Sequence, residues 1–179
     1  FVASTKSGES TTLGRGGSDY TASLLSAALD AEAVEIWTDI EGMMTADPRK
    51  VERYFVIPHL SYEEAMELSH FGAKVVYPPS LQPAMKANIP ILIKNTFKPD
   101  EEGTKISDES LPGPSIIKGI SSIDNITLLT VRGSGMIGVT GISARLFGAL
   151  ADAGVNIIMI TQASSEHTIT VAVLPGQAE

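Results

Sequence analysis

The sequence contains no cysteine in 179 residues. That absence excludes disulfide bridges, thiolate zinc sites and thiol nucleophiles together. Positive charge is scarce too: 13 Lys and Arg stand against 21 Asp and Glu, a net charge of −8. Such a balance argues against nucleic acid or an anionic membrane as the main partner and leaves room only for a local basic pocket. No apolar run approaches the roughly 18 residues of a membrane-spanning helix, and no signal peptide is visible, so a cytoplasmic protein is expected. His59, His70 and His167 lack metal-ligand spacing and are expected to be structural or exposed, with no metal held by protein ligands alone. The chain opens on Phe1-Val2-Ala3 rather than Met, which leads to the expectation that the natural N-terminus is missing.

What is present is enough for a core. With 43% hydrophobic and 19% charged residues, the chain can bury a sizeable apolar interior. Phe1 to Thr5 reads as the end of a buried strand, followed by the polar loop Thr11-Thr12-Leu13-Gly14-Arg15-Gly16-Gly17-Ser18-Asp19. From Tyr20 onward Leu24, Leu25, Ala28 and Leu29 predict one apolar helical face, with Ser18 or Asp19 as its cap. Ala33 to Trp37 is a short strand, and this alternation marks an α/β sheet with parallel neighbours. Thr38 to Arg53 is a long polar connection, and Ser61 to Glu64 spells a capping box. Ser80 to Ala87 predicts a helix whose Pro83 must fall in the first turn, and Ile91 to Lys94 a strand. Lys98 to Pro114, rich in Pro, Gly, Asp and Glu, is expected to hold the domain boundary, giving domains 1–110 and 111–179. Beyond it the order becomes strand (Ile126 to Val131), helix (Ile142, Leu146, Phe147, Leu150, stopped by Gly154), strand (Val155 to Thr161) and strand (Thr168 to Leu174).

Two glycine loops carry the chemistry. In TTLGRGGSDY the glycines let backbone approach a ligand, the following helix aims free N–H groups at an anion, and Arg15 offers a fork for carboxylate or phosphate. The alternative is a surface turn with an ordinary cap. The stretch fits neither the phosphate-loop nor the dinucleotide pattern. Gly133-Ser134-Gly135-Met136-Ile137-Gly138 does fit GxGxxG, but the next strand ends Met159-Ile160-Thr161-Gln162 without the acidic residue that would hold a ribose. The strand after it returns by a short turn, where a dinucleotide unit would insert a crossover helix. A hairpin-bearing α+β layer fits better than an NAD-binding domain.

Three stretches, TTLGRGGSDYTA, IWTDIEGMMTADPRK and ELSHFGAKVVYPPSL, together resemble the aspartate kinase family, in family order and spacing. IIKGISSIDNITLLTVRG and VNIIMITQASSEHTITVAV resemble its regulatory region, which is built from amino-acid-binding ACT modules. The tail is similar to enzymes in which the kinase is fused to homoserine dehydrogenase. The resemblance implies a partial amino-acid-kinase-like parallel sheet with helices, then an incomplete ACT-like βαββ module. It implies transfer of the ATP γ-phosphoryl group to the side-chain carboxylate of L-aspartate with Mg²⁺, by alignment and charge neutralisation.

By the same resemblance, Arg15 clamps a substrate carboxylate, Ser18 and Asp19 organise the reacting end, and Asp19 positions catalytic groups. Thr38, Asp39, Met44, Arg49 and Lys74 meet the nucleotide; on residue type alone, Arg49 and Lys74 could equally be solvated surface charges. Methionine stands at 44 where related kinases can carry tyrosine, which keeps the volume and drops the hydroxyl. The family's lysine-bearing N-terminal motif is absent, so the chain by itself is expected to be inactive. A non-catalytic sensor with a degenerate kinase lobe is the alternative. In the ACT-like part an effector, threonine or lysine, is expected near Gly135, Met136, Ile137 and Gly138, with Asn156 and Gln162. Those last two could also be plain polar strand ends. Its edge strands predict pairing into a homodimer.

Overall fold

The computed structural model describes residues 2–70, 75–109, 116–162 and 167–178. It divides into two compact units, Phe1–Ser122 and Ile123–Glu179. The expected boundary region therefore belongs to the first unit, and the division falls after it.

The first unit is built on a four-stranded mixed sheet of order β3-β5-β6-β4. Strands β3 (Val34–Thr38) and β5 (Ile91–Asn95) run parallel in the register Val34↔Ile91 to Thr38↔Asn95. β5 pairs antiparallel with β6 (Thr104–Ser107), and β6 pairs parallel with β4 (His59–Ser61). Period-two alternation explains the faces: Val34, Ile91, Ile93 and Ile106 are buried, whereas Glu35, Trp37 and Lys105 are exposed. On the exposed face Lys94 Nζ lies 5.0 Å from the Trp37 ring centroid, and the Trp37 indole N–H donates to Glu35. β6 was not expected. It is a four-residue strand inside the segment whose composition suggested a linker.

Among the described residues, three helices flank this sheet: α1 (Gly17–Leu29), α2 (Tyr62–His70) and α3 (Pro78–Lys86). The capping box of α2 forms as expected, with Ser61 N–H donating to Glu64 Oε2 at 2.8 Å and Glu64 N–H to Ser61 Oγ at 3.1 Å. Other expectations are corrected. α1 buries its small side chains, Ser23 and Ser26, and exposes Leu24, Leu25 and Leu29, because close approach to α3 favours the face without bulk. Its N-cap is Gly16; Ser18 and Asp19 lie inside the first turn. α3 starts two residues early on Pro78-Pro79, as proline's fixed φ favours, so Pro83 sits in the helix interior. The opening segment is an exposed hairpin, β1 (Val2–Ser4) paired antiparallel with β2 (Ser10–Thr12), and no buried strand.

The described residues of the second unit form a three-stranded antiparallel sheet of order β7-β9-β8 with one α-helix. β7 (Thr127–Arg132) and β8 (Met159–Gln162) both pair with β9 (Thr168–Val173), which carries the buried Ile169, Val171, Ala172 and Val173. The chain order β7, α4 (Ile142–Asp152), β8, β9 is the βαββ arrangement expected. β8 begins later than expected, at Met159, because Val155 N–H still donates to the helix carbonyl of Leu150.

The dinucleotide alternative fails on this topology. β7 and β8 are not neighbours, and β8 and β9 form an antiparallel hairpin. The glycine run does not open the helix either. Gly133 is extended at φ −176, Ser134–Met136 form a 3₁₀ turn, and α4 starts only at Ile142 after Gly141.

Candidate functional site

β3 ends at Thr38, and the carboxyl end of a parallel strand is where α/β sheets place ligands. Thr38 is pinned there by the neighbouring strand: Thr96 N–H donates to its carbonyl at 2.8 Å, and Asn95 Oδ1 accepts from Phe97 N–H at 2.8 Å. Its hydroxyl donates to Asp39 Oδ1 at 3.1 Å. Beyond Asp39 the chain crosses Gly42 at φ 145, where an added Cβ would stand 2.5 Å from Thr104 Oγ1. Glycine is required here for both conformation and space. Thr104 in turn accepts from Met43 N–H at 2.9 Å, fixing the start of a short antiparallel pairing between residues 43–45 and 55–57.

That pairing presents Met44 and leads into Asp47-Pro48-Arg49. Asp47 grips Arg49 three ways: Oδ1 accepts from the Arg49 backbone N–H at 2.9 Å and from Nε at 3.0 Å, and Oδ2 accepts from Nη2 at 2.7 Å. The Arg49 hydrogen bonds lower the Asp47 carboxyl to about 2. Lys98 and Glu41 form an ion pair at the base of the same loop, and that hydrogen bond raises the Lys98 pKa.

Thr38, Asp39, Met44 and Arg49 line one open cleft of about 280 Å³. Four of the five residues expected to meet the nucleotide are thus brought together. Lys74 lies outside the described residues; Val75, which follows it, lines the cleft. The remaining lining includes Ile40, Leu68 and Ile120 to Ser122, none of which sequence reasoning singled out. Residues 116–122 were expected with the regulatory region; they belong instead to the first unit, and tertiary contacts set their position at the cleft.

Arg15, Ser18 and Asp19 do not line this cleft. They sit at the amino end of α1, where Asp19 accepts from the Ser18 hydroxyl at 3.1 Å. Asp19 thereby favours the positive end of the helix, as does any anion brought to it. Gly16, at φ 69, rests on Tyr77: a Cβ there would fall 2.6 Å from Tyr77 Cβ. The glycine loop is therefore seated against the chain that runs from Val75 of the cleft into α3.

In the second unit Met136, Gly138 and Gln162 line a cavity of about 400 Å³ with Val139 to Ser143 and Ile169. Gly135, Ile137 and Asn156 do not line it. The missed residues 139–143 form the turn into α4 and its first two residues, and the signal that could have found them is Gly141, left-handed at φ 83 just ahead of the apolar helix.

Comparison with known proteins agrees with this division. Residues 1–95 match the amino acid kinase family and residues 129–179 match the ACT domain. A chloroplastic bifunctional aspartokinase/homoserine dehydrogenase of Daucus carota is 48% identical over 97% of this chain, which spans 20% of that protein. The Haemophilus influenzae bifunctional enzyme is 46% identical over 100% of this chain and 22% of its own length. The chain thus spans about a fifth of the length of these curated relatives. Among solved structures, E. coli aspartokinase III in complex with aspartate and ADP superposes with a TM-score of 0.82 at 37% identity, over 99% of this chain and 39% of that one. The complex of the same enzyme with lysine and aspartate gives 0.70 at 35%, over 97% and 38%. With an open cleft at the end of β3 and a family match over more than half its length, the chain belongs to the amino acid kinase family and carries an ACT domain behind the kinase segment.

Proposed function

We propose that the chain is the nucleotide-binding part of an aspartate kinase, which moves the ATP γ-phosphoryl group to the side-chain carboxylate of L-aspartate. The observation that carries this is the convergence of Thr38, Asp39, Met44 and Arg49 on one cleft. Phosphoryl transfer needs alignment and positive charge more than covalent help. Arg49, held by Asp47, and Lys74 are assigned to the phosphates, with Thr38 and Asp39 on the nucleoside. Arg15 is assigned to the aspartate carboxylate, and Ser18 and Asp19 to ordering the reacting end at the helix amino terminus.

Among the described residues no three His, Asp or Glu side chains cluster as a metal cage. Mg²⁺, which is held mainly by nucleotide phosphates and one or two carboxylates, is assigned to the nucleotide, with Asp19 or Asp39 as the carboxylate. E. coli aspartokinase III has been seen with aspartate and ADP, which supports the substrate pair. Its lysine complex supports an amino-acid effector, which we place in the second unit's cavity at Met136, Gly138 and Gln162. The effector we assign there is threonine or lysine. Edge strands β7 and β8 are assigned to homodimer contacts. Among the described residues no helix is long and apolar enough to cross a membrane, and we place the protein in the cytoplasm.

The test is calorimetric titration of the intact protein with ADP–Mg²⁺, paired with a hydroxamate assay for phosphoaspartate. Tight ADP binding that Arg49→Ala and Lys74→Ala each weaken, with turnover of aspartate, is the expected result. Binding of threonine without any nucleotide binding would instead make the chain a sensor with a degenerate kinase lobe. The 179-residue chain alone is expected to give no turnover.

A further inference from the structure

Residues 116–122 lie outside both family matches, which cover 1–95 and 129–179, yet they fold back onto the first unit. Ile120 N–H donates to the Thr45 carbonyl at 2.8 Å. Lys118 Nζ meets Glu64 Oε2 at 2.8 Å, and Lys50 Nζ donates to Ser122 Oγ at 3.0 Å. The anchors thus come from α2 and from the loop that bears Met44 and Arg49. Between them Ile120, Ser121 and Ser122 line the same cleft as Met44, Leu68 and Val75.

Ile120 is the informative residue. Its side chain lines the cleft but is 68% exposed, so it presents a large aliphatic surface to an open rim. A cleft joining aliphatic walls to a few hydroxyls and an arginine has the chemistry of a purine nucleotide site: apolar surface for the base, polar groups for ribose and phosphates. Ser122 is followed directly by Ile123, the first residue of the second unit. Whatever fixes residues 120–122 therefore also fixes the point from which the second unit departs.

We propose that Ile120, Ser121 and Ser122 belong to the nucleotide site, with Ile120 as an apolar wall for the base, so that nucleotide binding orders the stretch joining the two units. The inference rests on reading the cleft as a nucleotide site.

The experiment uses the intact protein and ADP–Mg²⁺ as the probe. Calorimetry compares wild type, Ile120→Ala, Arg49→Ala and Ile116→Ala, the last at a fully exposed position that does not line the cleft. Ile120→Ala is expected to weaken ADP about fivefold, the loss of one apolar contact surface, while Ile116→Ala binds as wild type. In wild type, ADP is expected to slow amide exchange at residues 120–122 as well as at 38–49. Because Ile120 is largely exposed, its loss leaves the fold intact, and the exchange readout needs no variant at all. Wild-type affinity in Ile120→Ala beside weakened binding in Arg49→Ala would overturn the inference and leave the cleft reading standing. So would ADP protection confined to residues 38–49. No ADP binding, or binding indifferent to both Arg49 and Ile120, would remove the nucleotide site and this inference with it.

Discussion

Asp47 and Arg49 show how a single residue prepares a site. On the proposed assignment, a guanidinium held at Nε and Nη2 by one carboxylate would already be oriented before a phosphate arrives, so less entropy would be lost on binding. The sign of the pH effect follows from the lowered Asp47 pKa, about 2 against an ordinary 3.8. The carboxylate's contribution is complete above the ordinary value and disappears as pH falls through the lower one. The Arg49 Nε–H resonance should therefore hold its position down to about pH 4 and shift only on further acidification. Asp47→Ala should weaken ADP binding several-fold without unfolding the protein, as calorimetry and circular dichroism would show. Gly16 is a second such position. Gly16→Ala would place a Cβ 2.6 Å from Tyr77 at φ 69, so it should cost at least the ~1–2 kcal/mol of a left-handed residue. In a double-mutant cycle Tyr77→Gly, which removes the Cβ that the new methyl meets, should recover the steric part and leave the backbone part.

At the scale of elements, Glu64 joins two structures. It completes the capping box of α2 and meets Lys118 of the returning segment. Ser61→Ala should cost about 1 kcal/mol by removing one cap contact, and Glu64→Ala clearly more, both read from urea unfolding. In β5, Ile93→Ala should cost about 2–5 kcal/mol, since Ile93 is fully buried in the sheet's core. These elements were legible in the sequence because their signals are local: alternation around Ile91 and Ile93, and Ser61 three residues before Glu64. β6 was not legible. Its Thr104 and Ile106 alternate inward, but only pairing with β5 and β4 makes four residues among prolines and acids into a strand. The leucines of α1 misled for a related reason. Their periodicity is genuine, yet the face that meets α3 is the one bearing Ser23 and Ser26. In the cleft, Thr38, Asp39, Met44 and Arg49 could be named from motif resemblance, whereas Ile120 to Ser122 arrive through backbone contacts that no short motif encodes.

At the scale of the whole molecule, the two sheets differ in how they are put together. In the first unit the order β3-β5-β6-β4 is assembled from strands spread over residues 34–107. In the second, every ladder among the described residues passes through β9: β7 spans Thr127↔Val173 to Arg132↔Thr168, and β8 spans Met159↔Ala172 to Gln162↔Ile169. A chain cut after His167 should thus lose the β-sheet signals of residues 127–132 and 159–162 together, while the amides of β3 and β5 keep their dispersion in a heteronuclear NMR spectrum. On the ribosome the same geometry sets a timetable. β7, α4 and β8 leave the exit tunnel with no partner for their edges, and the sheet closes in one step when residues 168–173 emerge.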